Sequence, residues 1–256
     1  PAPPSSGPGC DVSVQAAEAV PLRHRHRHRH LHVWLMLALT VVTGMLDAVG
    51  YLGLDRVFTG NMTGNVVILG MGLAAEEGLP VAGPLIALMG YVVGAAVGGR
   101  LVRGRSRGWS RIVTAVVGSN AAVLAGIATI LLAVPGSARS TGGVATAATI
   151  AVVMGAQASV ARFLAVTDLT TVVVTSTITS YAGETLFAGG LSWFTHRRLW
   201  AVVAIFVGAL GGGLVMKLHM SVPVYAAAAV TAATAVVGHR RWERGVAGGP
   251  VYPKAG

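Results

Sequence analysis

Charged residues are scarce in this chain. Of its 256 residues, 11% are charged and 54% are hydrophobic, whereas a soluble domain carries about 25% charged residues. This deficit, a mean hydropathy of +0.68 and repeated apolar runs of about 20 residues exclude an ordinary soluble domain and predict an all-α, polytopic membrane protein. The alternating segments of about ten residues that build a membrane β-barrel are also lacking.

Cysteine is nearly absent. Cys10 is the single one, which excludes an intramolecular disulfide and a cysteine-based metal centre. The sequence also lacks the HExxH, Walker A and GxSxG motifs and a catalytic cysteine–histidine pair. We therefore expect no enzymatic activity, no cofactor and no metal site. An intramembrane enzyme would need an acid/base pair, for which Asp47 with Glu184 is the sole candidate.

Acidic residues are also few, and the net charge is +10. No aromatic-basic platform for nucleic acid accompanies this charge, so we expect it to set topology through basic cytoplasmic loops, with the lipid bilayer as partner. We expect residues 1–30 to form a disordered, basic cytoplasmic tail, rich in Pro, Ser and Gly at its start. Its Arg-His alternation would bind metal or, as we favour because arginines repel cations, form a solvated anchor.

A membrane domain at residues 31–239 holds eight hydrophobic segments, and a second cytoplasmic tail covers 240–256. The chain also repeats itself at an offset of about 112 residues, since Gly44 aligns with Gly155, and Val93 to Gly99 align with Val207 to Gly213. This predicts a duplication, with repeat one at about 31–134 and repeat two at about 143–239. The eight segments lie near 31–54, 58–75, 81–101, 110–134, 143–165, 169–190, 199–218 and 222–239.

Basic residues indicate which segments span the membrane. If all eight span, 11 of the 19 basic residues are cytoplasmic; if segments 58–75 and 169–190 each enter and leave on one side, 16 are. The positive-inside rule favours the second arrangement. It predicts six spanning helices, two re-entrant or broken helices, both termini in the cytoplasm and two repeats of inverted topology, a plan that recurs in transporters and channels.

A polar, glycine-broken run from Phe58 to Asn65 is the most informative feature for function. Lipid cannot hydrogen-bond a broken backbone, so such a run lies inside protein or against a water-filled cavity. Thr63-Gly64-Asn65 would begin a half-helix whose N–H groups point inward, and Thr175-Ser176-Thr177 would cap its counterpart. Two facing helix N-termini favour an anion or a polar solute. In the alternative, these groups merely satisfy one another between packed helices.

Asp47 lies in the middle of the first span. A lone ionised carboxylate there costs at least ~2.5–3.5 kcal/mol, so it must be protonated, paired or hydrated. It would be a proton or cation coupling site, or else bond structurally to Asn61, Asn65 or Tyr51. Gln157 would offer a neutral amide to the pathway, and Glu184 would pair with Arg162 or face a cytoplasmic vestibule.

Glycines recur every four residues at Gly90, Gly94 and Gly98, and again at Gly208 and Gly212. Such spacing lets helices approach closely. We place this packing inside one chain, which leaves a homodimer as the alternative.

The runs Thr43-Gly44-Met45-Leu46-Asp47-Ala48 and Val57-Phe58-Thr59-Gly60-Asn61-Met62-Thr63-Gly64-Asn65 resemble those of the YoaK-like family of bacterial integral membrane proteins, a domain of unknown function. The resemblance covers about residues 31–239 and implies an inner-membrane protein of several helices. The later Gly155-Ala156-Gln157, Arg162 and Thr175-Ser176-Thr177 resemble the family's second region. That region usually reads closer to Thr-Gly-Thr, so Ser176 departs from the pattern. The resemblance supplies no substrate.

We therefore expect a small secondary transporter or channel for a small anion or polar solute, with a proton or cation as an open co-substrate. A non-transporting scaffold or regulator is the alternative. The candidate solute-binding residues are Asp47, Tyr51, Asn61, Thr63, Gly64, Asn65, Gln157, Thr175, Ser176, Thr177 and Glu184.

Overall fold

A computed structural model describes residues 22–74, 78–105, 108–134, 136, 141–164 and 197–247. Within these ranges the chain forms seven helices and no strand, which confirms the predicted all-α polytopic bundle. The segment predicted as the second re-entrant helix, 169–190, lies outside the described residues. The helices are α1 (Leu22–Gly53), α2 (Met62–Leu73), α3 (Ala82–Val102), α4 (Arg111–Ala133), α5 (Thr141–Phe163), α6 (Arg197–Val215) and α7 (Ser221–Ala247).

Five of the described helices are long and apolar enough to cross a membrane: α1 from Val33, α3, α4, α5, and α7 as far as Arg244. The apolar part of α6 is shorter, at Leu199–Val215. Helix α2 has 12 residues and is therefore about 18 Å long. Since the hydrocarbon core is about 30 Å thick, α2 cannot cross it.

Two core clusters fix the directions of the helices. In one, the first half of α1, at Met36 and Leu39, packs beside the end of α5 at Val160. In the other, the second half of α1 packs beside the middle of α5, with Leu46 and Ile150 in one cluster. Helices α1 and α5 therefore run antiparallel. By the same clusters α4 runs with α1, and α7 runs with α5.

Helix α3 runs parallel to α5, because Gly90 meets Ala148 and Gly98 meets Ala156. It is therefore antiparallel to α1, and the end of α1 lies at the same end of the bundle as the start of α3. The chain between them, which contains α2, begins and ends on that side. This is the path that a re-entrant segment requires.

Glycine contacts join the helices in two similar pairs. A methyl group on Gly44 of α1 would overlap the Ile205 carbonyl oxygen of α6, and one on Gly155 of α5 would overlap the Tyr91 carbonyl oxygen of α3. The reciprocal contacts are also alike, because Gly208 abuts Val41 as Gly94 abuts Val152. The predicted glycine faces thus pack inside the chain, where the missing side chains let the backbones approach.

Candidate functional site

The Asp47 carboxylate binds the loop between α1 and α2. Its Oδ1 accepts hydrogen bonds from the backbone N–H groups of Thr59 at 2.8 Å, Gly60 at 2.7 Å and Asn61 at 3.4 Å. The Thr59 hydroxyl donates to the same oxygen at 3.3 Å. Successive N–H groups that converge in this way form a concavity suited to an anion. The chain fills that concavity with its own carboxylate.

The loop reaches Asp47 because of two local features. The chain reverses after α1 at Arg56, which adopts a left-handed backbone with φ 51°. Gly60 then passes close to α1, where a methyl group in place of its hydrogen would stand 2.6 Å from Thr43 Cγ2. A side chain at position 60 would therefore push the loop away from the carboxylate.

The start of α2 has a side-chain cap from the chain itself. Asn61 is the N-cap residue, and its side chain accepts a hydrogen bond from the Gly64 N–H at 3.3 Å. Asn65 is 1% exposed. Its amide accepts from Phe58 N at 2.8 Å and donates to Phe58 O at 2.6 Å. These bonds fasten the loop to the first turn of α2, so the positive end of this helix is already capped.

The structure separates the remaining candidates of the first motif from Asp47. Tyr51 stacks on the Phe58 ring, with centroids 5.0 Å apart, and makes no described bond to Asp47. Thr63 is exposed. Gly64 lies under the Phe58 ring. A methyl carbon added to Gly64 would stand 2.6 Å from a carbon of that ring. Asp47 therefore bonds the backbone of the loop and not the side chains of Tyr51, Asn61 or Asn65.

A cavity of about 80 Å³ lies beside this loop, among α1, α3, α5 and α6. Its volume is enough for a few water-sized groups. Gly60 contributes to the wall, so the cavity and the Asp47-bound loop adjoin. The lining residues are Met36, Leu39, Thr40, Thr43, Gly60, Tyr91, Met154, Gln157, Ala158, Ala161 and Ile205.

Gln157 is the most unusual residue of the cavity wall. It is 5% exposed. Its Nε2 donates to Leu39 O at 3.3 Å and, weakly, to Thr43 Oγ1 at 3.5 Å. Its Oε1 is buried and finds no hydrogen-bond donor in the part of the chain that the structure describes. Buried polar atoms nearly always have a partner, and one without it costs about 1–3 kcal/mol. A ligand or water that donates a hydrogen bond would satisfy it.

The charged residues near these helices lie outside the cavity wall. Tyr91 interacts electrostatically with both Asp47 and Arg162. Arg162 is exposed at the end of α5, whereas Asp47 is partly buried. Asp55, just beyond α1, lies against Gly83 at the start of α3, and partial burial raises the pKa of its carboxyl.

Sequence reasoning found Asp47 and Gln157 but missed three neighbours. Thr43 lies four residues before Asp47, hence on the same helix face, and that spacing was a usable signal. Thr59 is next to a glycine in the polar run. Tyr91 of α3 carries no local signal, because only the packing of α3 on α5 brings it here. The predicted residues Thr175, Ser176, Thr177 and Glu184 lie outside the described residues.

Comparison with known proteins extends these observations. A model of the family described as "Protein of unknown function (DUF1275)" matches residues 35–237. The UPF0700 transmembrane protein YoaK of Bacillus subtilis (strain 168) is 34% identical over 87 residues, which are 34% of this chain and 39% of that protein. The match therefore spans about two fifths of the relative's length. No solved structure matches the chain. The chain is thus similar to a transmembrane protein, as its apolar helices require.

Proposed function

This chain belongs to the DUF1275 family of multi-pass membrane proteins, and from the geometry of its site we propose that it is a small secondary transporter or channel for a polar solute. The solute site is the cavity among α1, α3, α5 and α6. The loop held by Asp47 forms one wall of that site.

The buried, unpaired Oε1 of Gln157 carries this proposal. A buried amide that only holds the fold together is satisfied at both its oxygen and its nitrogen, as that of Asn65 is by the backbone of Phe58. Gln157 instead keeps one acceptor unused in the wall of a cavity within a membrane-spanning helix. Intramembrane polar groups of this kind mark solute pathways.

The topology we propose has six spanning helices, with α2 and residues 169–190 as re-entrant segments and both termini in the cytoplasm of a bacterial cell. Two observations support it. The end of α1 and the start of α3 lie on one side of the bundle, and Arg100, Arg111 and Arg162 lie together at the opposite end, beside the start of α1. Basic residues are typical of the cytoplasmic side.

We further propose that the two halves are inverted repeats that rock about the cavity. The glycine contacts support this, because Gly44 against Ile205 and Gly155 against Tyr91 differ by nearly constant offsets in sequence. Inverted repeats commonly place their solute site near the midplane, at the repeat interface.

Asp47 is the coupling residue in this proposal. Protonation would weaken four hydrogen bonds that end on one oxygen, because bonds to an ionised acceptor are roughly twice as strong as neutral ones. The loop that lines the cavity would then loosen. A proton at Asp47 would in this way open or close the site.

A non-transporting scaffold or regulator remains the rival function. It is favoured by the side chains of Asn61 and Asn65, which are spent on the loop and on α2. In that case the hydrogen bonds of the polar run only stabilise the fold.

Reconstitution into liposomes tests the proposal. The purified full-length chain should speed the flux of at least one member of a panel of small neutral, cationic and anionic solutes above that of protein-free liposomes. D47N should lower that flux while the protein still elutes as a folded species. If no solute in the panel moves faster than through protein-free liposomes, the scaffold becomes the better explanation.

Cysteine accessibility tests the topology. In a background with C10S, single cysteines at Arg105 and Arg197 should be labelled from the cytoplasmic side and one at Glu77 from outside. An Arg105 position labelled from outside would contradict the re-entrant arrangement.

A further inference from the structure

We infer that the cavity selects small solutes that carry N–H donors, either neutral amides or ammonium-type cations, and that it excludes anions. This inference rests on the proposed transport function. It reverses the expectation, drawn from helix N-termini alone, that an anion is among the favoured solutes.

The first step concerns the N–H groups that would have held an anion. Those of Thr59, Gly60 and Asn61 all donate to Asp47 Oδ1, and that of Gly64 donates to the Asn61 side chain. The Asp47 carboxylate and the Asn61 side chain thus already occupy these donors just before and at the start of α2. An anion that entered here would have to displace a carboxylate attached to the same backbone.

The second step concerns the polar side chains of the cavity wall. Their donors are spent on backbone carbonyls of α1: Thr40 on Met36 O at 2.9 Å, Thr43 on Leu39 O at 3.0 Å, and Gln157 on Leu39 O at 3.3 Å. Each still has acceptor capacity, since a hydroxyl oxygen has two lone pairs and an amide oxygen also has two. The wall therefore accepts more hydrogen bonds than it donates, although Tyr91 can do both.

The third step concerns charge and size. None of the described lining residues is basic. Asp47 adjoins the cavity at Gly60, and a methyl carbon on Gly60 would lie 3.6 and 3.7 Å from its two carboxylate oxygens. Arg162 is the opposing charge, but it is exposed to the surroundings of the bundle end, where water screens it. About 80 Å³ admits solutes of a few heavy atoms.

Three planar probes of the same shape separate the possibilities: guanidinium, a cation with N–H donors; urea, a neutral N–H donor; and nitrate, an anion that only accepts. We would measure their uptake into liposomes that contain the full-length wild-type chain. Uptake of urea or guanidinium above protein-free liposomes is expected, and nitrate should not exceed that background. The ratio of urea to guanidinium uptake decides between the neutral and the cationic solute.

Two variants assign the selectivity to the cavity. Q157M keeps the length of the side chain and removes the acceptor, and T43V keeps the volume and removes the hydroxyl. Each should lower uptake of the favoured probe about tenfold, the effect of one lost hydrogen bond. N120L, which alters a buried amide outside the cavity wall, is the matched control and should leave uptake near wild type. If Q157M does not fold, T43V carries the same test.

The outcomes distinguish this inference from the transport proposal. Nitrate uptake that Q157M or T43V abolishes would overturn the inference and leave transport standing. Uptake of none of the three probes, with flux of another solute in the wider panel, would do the same. An equal fall in N120L and in both cavity variants would show that the cavity wall does not set selectivity.

Discussion

Replacement of Asp47 gives the sharpest test of how the broken segment is held. D47A would leave the N–H groups of Thr59, Gly60 and Asn61 without their acceptor. Each unsatisfied buried group costs about 1–3 kcal/mol, and the Asn61 bond is long, so we expect a loss of about 3–5 kcal/mol. D47N keeps a neutral acceptor. Because the two short bonds each lose about 1 kcal/mol of charge assistance, it should cost about 2 kcal/mol.

The assay is reversible unfolding in mixed micelles, combined with hydrogen exchange of the three loop amides. D47A should both lower the unfolding free energy and expose these amides, with D47N between D47A and wild type. D55N is the matched control, since Asp55 lies in the same loop but has no described bond to the amides of Thr59, Gly60 and Asn61. If D47A were as stable as wild type and its loop amides stayed protected, the carboxylate would not be what holds the loop.

Three other changes follow from the same contacts. G60A should lower the flux of the transported solute severalfold, because the added methyl group meets Thr43 at the cavity wall; unchanged flux would place the pathway elsewhere. N65A removes both hydrogen bonds to Phe58 and should destabilise the protein by about 1–3 kcal/mol, which unfolding measurements would detect, with N120A for comparison. G94V should prevent α3 from packing on α5, since even a methyl group overlaps the Val152 carbonyl oxygen; the yield of monodisperse protein should fall sharply, whereas G118V, where nothing described lies within 4 Å, should not lower it.

The helices and the broken segment could be read from the sequence, because both are local. Apolar length sets the spans, and Gly60 with its polar neighbours marks the break. The intramembrane position of Asp47 also follows from its place in an apolar run. The sequence could not show which groups the Asp47 carboxylate accepts hydrogen bonds from. Nothing local distinguishes a carboxylate that waits for a co-substrate from one that binds backbone 12 to 14 residues later.

The role of the first motif was harder to predict for the same reason. Its amides and hydroxyls look alike in sequence, yet Asn65 is buried on Phe58 while Thr63 is exposed. The position of α2 relative to the loop decides between them, since Asn65 faces the backbone of Phe58. Gln157 was found because it is a lone amide in an apolar helix. That its oxygen lacks a donor depends on which carbonyl its nitrogen reaches, which is a matter of tertiary packing.

The pairing of α1 with α6 has a consequence for biosynthesis. Gly44 and its contact Ile205 are 161 residues apart, so at about 5–20 residues per second α1 waits roughly 10–30 seconds for its partner to leave the ribosome. Asp47 meets its hydrogen-bond donors much sooner, because Thr59 and Gly60 are synthesised directly after α1. The carboxylate can therefore gain its hydrogen bonds as soon as α1 and the following loop form a hairpin. At that stage the glycine face of α1 is still open to lipid or to the insertion machinery. Early closure of that loop would let a helix with a central aspartate enter the bilayer long before the bundle exists.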